Sequence, residues 1–162
     1  MTVQTSYSID HGQAYAGQLA DQQLCNTVSK LNASGATIVY GKAVATDTDA
    51  GKARLVATGD TALDFNGIVM RELNRAYADG DTFGAPDSKD MTVVSEGVVW
   101  VVAAETVAVD EQAYFRVGAT SQGDFSNAAG TGVTESILIP GAKFVTAGAQ
   151  GALVKISLGL GG

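Results

Sequence analysis

The chain has 162 residues, a net charge of −7 and a pI near 4.4. That length fits one domain with an appended arm, and that charge argues against a sequence-independent nucleic-acid binder, which needs a basic face. One cysteine, Cys25, leaves no internal disulfide to form, and no apolar stretch reaches the roughly 18 residues that span a bilayer. The apolar fraction is 46% with only 7% aromatic, which predicts a thin core of small and β-branched side chains. Twenty glycines against two prolines predict many turns between short strands.

Residues 1–34 are rich in Gln, Asn, Ser and Thr, with isolated apolar residues such as Tyr7, Ile9, Tyr15 and Leu19. They read as an extended arm, with at most a short helix over Leu24, Val28 and Leu31. The opening "MTVQTSYSIDHGQ" has neither the positive nor the apolar segment of a secretory signal, so the expected site of synthesis and residence is a cytoplasm, unless a particle or lysis carries the product out.

From Thr37 the pattern becomes β, and residues 35–162 are expected to form one barrel or sandwich. "TIVYGKAVAT", "ARLVAT" and "DFNGIVMRE" are strands, the first two joined by the turn "TDTDAGK". "RELNRAYADGDTFG" is polar, with helix formers first and an Asp-Gly turn after. "DMTVVSEGVVWVVAAETV" reads as one long strand or a bent pair of strands, with Gly97 as the bend or bulge. Its apolar run on both faces places Trp100 in a core or under another subunit. "QAYFRVG" is a further strand, and Tyr114 and Phe115, like Trp100, are expected in the core or at a subunit interface, the core in preference. "GATSQGDFSNAAGTG" is a loop. "ESILIPGAKFVTAG" and "ALVKISLGL" close the chain as a hairpin. In the last strand Val154, Ile156, Leu158 and Leu160 face one way, and Lys155 and Ser157 the other.

Reactive chemistry is scarce. His11 is the single histidine and lies in the arm, so a Ser-His-Asp triad has no base elsewhere to use. Cys25 reads as a small buried or interface residue. The stretch "GATIVYGKA" has five residues between its glycines and Ala43 after Lys42, and so fails as a phosphate loop. "DTDAG" starts like a calcium loop but lacks the later ligands, and a hairpin turn is the better reading. No catalytic, metal-binding or cofactor-binding residue is assigned, and a non-enzyme is expected.

Four stretches together resemble the capsid cement, or head decoration, proteins of tailed bacteriophages: "SYSIDHGQAYAGQLADQQLCNTVSKLNASGATIVYGKAV", "DFNGIVMRELNRAYADGDTFG", "MTVVSEGVVWVVAAETVAVDEQAYFRVG" and "ILIPGAKFVTAGAQGALVKISLGLGG". The resemblance implies a small β-barrel or β-sandwich, tulip-like, with the N-terminal arm. It implies a virion protein that binds the outside of the head and cements neighbouring major capsid proteins against the pressure of packaged DNA. It also implies a homo-oligomer, a trimer in preference to a dimer, with no membrane or direct nucleic-acid partner. On that reading Tyr7, Ile9, Tyr15 and Leu19 are the expected arm contacts to capsid or subunit, and Arg71 and Arg75 the expected polar contacts. The alternative is a β-barrel module that binds carbohydrate or a receptor, which would need exposed aromatics in one concave patch.

Overall fold

The computed structural model describes residues 14–21, 24–73 and 81–159. Eleven strands are found there: β1 (Asn26–Asn32), β2 (Ile38–Val39), β3 (Ala43–Thr46), β4 (Lys52–Leu55), β5 (Phe65–Val69), β6 (Gly84–Ala85), β7 (Asp90–Val102), β8 (Gln112–Arg116), β9 (Phe125–Ser126), β10 (Ser136–Phe144) and β11 (Leu153–Leu158). One 3₁₀ turn, Gly132–Thr134, is the sole helical element among the described residues. The all-β expectation is met.

The long strand β7 organises everything else. Its first half pairs with β1, and the order β1-β4-β3-β5-β7 returns through that contact to close a five-stranded ring. Its second half starts the run β7-β11-β10-β8-β9. This run comes back to Ala103, just past β7, through a parallel bridge to Phe125. The chain therefore changes partners along one strand. The change falls at Gly97, which pairs with Leu158 on β11, while Glu96 still faces Asn26 on β1. Ser95 is the extra residue in the β1 register, a bulge of the kind that bends a strand. A bend at this point was expected from the sequence.

A strand shared by two rings is covered on both faces, which accounts for its nearly unbroken valine run. Val94, Val99 and Val101 enter the larger core with Phe115, Phe125, Phe144 and Ile156. Val93 and Met91 enter a smaller one with Val44, Val69 and Ile38. Phe115 is fully buried and stacks on Phe65 with ring centroids 5.1 Å apart. The short pair β2–β6 contributes Ile38 and Ala85 to the smaller cluster.

Several expectations need correction. Leu24, Val28 and Leu31 do not share a helix: Val28 and Leu31 lie on β1, inside the segment read as arm, because backbone pairing to β7 and β4 outweighs a weak helical spacing in a Ser/Thr/Asn-rich stretch. Trp100 is partly buried rather than enclosed in the core of its own chain. Residues 17–20 run along β7 beside it, and the Lys155 ammonium sits 5.3 Å from its ring centroid. Tyr114 is also only partly buried. Cys25 is exposed. The loop after Gly118 contains β9, whose Phe125 is fully buried. Ser157 is buried although it alternates with apolar neighbours, since the second half of β7 and β11 is covered on both sides. Leu160 lies outside the described residues.

Candidate functional site

The segment before β1 is tied down by main-chain bonds. The Gly17 N–H donates to the Trp100 carbonyl (2.7 Å), the Trp100 N–H to the Gln18 carbonyl (2.9 Å) and the Ala20 N–H to the Val98 carbonyl (2.8 Å). Leu19 bridges to Val99 and packs its side chain against the larger core. The Arg71 N–H, just beyond β5, donates to the Gly17 carbonyl (2.8 Å). Gly17 must be glycine: its φ is +80°, and a Cβ there would lie 2.7 Å from the Val69 carbonyl oxygen. This crossing brings the arm onto the end of β5.

The crossing juxtaposes two residues expected to act separately. The Arg71 guanidinium lies over the Tyr15 ring, 3.7 Å from its centroid. Tyr15 keeps 57% of its surface exposed. Two shallow grooves share this stacked pair as a common wall. One, of about 360 Å³, is lined by Gln18, Leu19, Met70 and Leu73. The other, of about 320 Å³, is lined by Ala16, Val39, Tyr40 and Phe83. Leu73 and Phe83 are largely exposed (84% and 64%), and Val39 is exposed as well. The result is an apolar surface with one cation at its centre, a composition found at protein interfaces, where aromatic residues and arginine concentrate.

Tyr15, Leu19 and Arg71 are thus brought together. Tyr7, Ile9 and Arg75 lie outside the described residues. The sequence reading passed over Val39, Leu73 and Phe83. Leu73 in "RELNR" and Phe83 in "DTFGA" each stand alone in a polar stretch, and that isolation was the available signal.

Several ionic groups elsewhere among the described residues are engaged in structure. The buried Arg116 is paired with Glu105 and donates to the Ser136 hydroxyl. Lys42 pairs with the buried Asp124 at 2.7 Å, while burial pushes the Asp124 carboxyl above its ordinary value. Arg54 grips Asp60 with two hydrogen bonds, of 2.6 and 3.0 Å. The sequence 47–51 forms the β3–β4 turn, where Asp49 accepts from the Gly51 N–H. Among the described residues no three His, Cys, Asp or Glu side chains cluster closely enough to hold a metal ion.

No curated protein sequence matches the chain. A chain in a structure titled the capsid of Myoviridae phage XM1 superposes with a TM-score of 0.75 at 15% identity, covering 98% of each chain, which shows a shared fold. The base of the head fibre gp8.5 of bacteriophage phi29 is more distant, with a TM-score of 0.44 at 11% identity over 83% of this chain and 94% of that one. The family model for the structural cement protein (E217 gp24/Pam3 gp6) matches residues 3–159. The chain belongs to this family of phage structural cement proteins, and its place is in the virion capsid.

Proposed function

We propose that the protein binds the outer surface of a tailed-phage head and cements neighbouring major capsid proteins against internal DNA pressure, and that it does so without catalysis or cofactor. It is made in the bacterial cytoplasm and sits on the shell as a homo-oligomer, with the trimer the arrangement favoured by resemblance. The observation that carries this reading is the Tyr15–Arg71 stack with Leu19, Leu73 and Phe83 around it, on a chain of the cement family. A cement protein needs a broad, moderately strong contact repeated over a symmetric shell, and that surface supplies an apolar rim around an aromatic and arginine anchor. Purified heads stripped of the protein should rebind the wild-type chain and rebind the Tyr15→Ala and Arg71→Ala variants poorly. Equal rebinding by all three would overturn the assignment of this face.

A second reading has one observation in its favour. Tyr15 and Phe83 are exposed aromatics lining the same groove, as a carbohydrate- or receptor-binding head protein would require. Saturable binding of host surface glycan by free protein, lost in Phe83→Ala while head binding is kept, would select it.

A further inference from the structure

We infer that the Tyr15–Arg71 surface receives a carboxylate: the major capsid protein presents an aspartate or glutamate to Arg71, with apolar side chains on either side of it entering the two grooves. This rests on the head-binding reading above and names the chemistry of the partner segment. The arginines point to it. Of the three among the described residues, Arg54 grips Asp60 and Arg116 is paired with Glu105. Arg71 is partly buried, yet no carboxylate of a described residue pairs with it. Glu72 and Asp90 line a separate cleft with Arg71, of about 470 Å³, but neither forms an ion pair with the guanidinium. The Glu72 carboxylate instead accepts the Thr92 N–H (2.9 Å).

The stack decides which of its atoms remain for a partner. A guanidinium is planar, and its N–H donors lie in that plane. Held over the Tyr15 ring at 3.7 Å from the centroid, Arg71 uses one face on the aromatic and keeps its in-plane fork for an acceptor beside it. That fork matches the two oxygens of a carboxylate. Arg71 is also the one charged side chain among the described residues that line the two grooves. Around it stand Leu19, Met70 and Leu73 on one side, and Val39 and Phe83 on the other. A wholly apolar partner would cover this cation without an anion, which is costly, and a basic one would be repelled. A carboxylate flanked by apolar groups meets both demands. The chain as a whole carries −7, so an acidic partner segment is turned away from most of the surface and finds its favourable register at Arg71.

The test titrates the full chain onto stripped heads. Arg71→Gln keeps a polar side chain without the charge and should bind about tenfold more weakly than wild type; Arg71→Glu sets like charges face to face and should bind about tenfold more weakly again. Added salt should weaken wild-type binding more than that of Arg71→Gln. In the Arg71→Lys variant, carbodiimide treatment of the head-bound chain should join position 71 by an amide bond to an aspartate or glutamate of the major capsid protein, identified by peptide mass spectrometry and absent from wild type. Equal binding by wild type, Arg71→Gln and Arg71→Glu would overturn the inference and leave head binding standing. So would equal losses in Arg71→Gln and Arg71→Glu with no amide formed from position 71, since Arg71 would then act only by packing on Tyr15. Heads that never bind the wild-type chain would overturn the head-binding reading itself, and this inference with it.

Discussion

Replacing Tyr15 separates the binding role of the arm crossing from its structural role. Tyr15 retains 57% exposure in the free chain. An aromatic side chain offers about 150–250 Å² for burial, so roughly 100 Å² remains to be covered by a partner. At about 25 cal/mol per Å² this is ~2–3 kcal/mol of gross stabilisation on docking. Ordering of neighbouring side chains takes back about 0.5–1.5 kcal/mol. Tyr15→Ala should therefore weaken binding to stripped heads by about 1.5 kcal/mol, on the order of 10-fold. Its effect on folding should be smaller, because the stack on Arg71 is exposed and such contacts contribute about 0.5–1 kcal/mol. Arg71→Ala should lower affinity as well, and the double variant should lose less than the sum, since both act through one contact. Affinity is read by titrating labelled protein onto heads, and stability by urea denaturation of the free chain. A variant that loses ~2 kcal/mol of folding stability and binds heads normally would refute the reasoning, because the crossing would then serve the fold alone.

Phe115 is fully buried and stacked on Phe65, so Phe115→Ala should cost about 3–5 kcal/mol in urea denaturation; a loss below 1 kcal/mol would mean that Phe115 is not packed in the larger core. Gly67 has φ +142° and its absent Cβ would lie 2.2 Å from the Val94 carbonyl oxygen, so Gly67→Ala should lower Tm sharply, whereas Gly51→Ala, with only the Asp49 side chain near, should not. Backbone and hydroxyl donation from Thr61 holds the Asp64 carboxyl below its ordinary value of 3.8. A folded-state value below the unfolded one means stability that is present above pH 3.8 and lost as pH falls through the depressed value. Asp64→Asn should therefore flatten the acid side of the Tm-against-pH curve, and an unchanged slope would remove Asp64 from that account.

The strands with β-branched runs were legible in the sequence, from β3 through β5 and from β7 through β11 with β9 excepted. Alternation and turn residues mark them locally, and Gly97 marks the bend where β7 changes neighbours. β1 was not legible. Asn26, Thr27, Ser29 and Lys30 carry no apolar alternation, and the strand exists because β7 offers it a partner. β9 is two residues long and is held by β8 and by the bridge to Ala103, which no local pattern announces. Trp100 misled because apolar neighbours were taken to imply enclosure; its ring is instead flanked by the arm and capped by Lys155, both remote in sequence. At the candidate site, Tyr15, Leu19 and Arg71 stood out singly. Their meeting depends on the Gly17 crossing, and the exposed Leu73 and Phe83 acquire meaning only once that crossing places them around the stack.

The most direct test of the cementing role is the copy number of this chain in purified intact particles, measured against the major capsid protein. Cementing predicts about one copy per major capsid protein over the symmetric shell. A handful of copies per particle, or none, would contradict it.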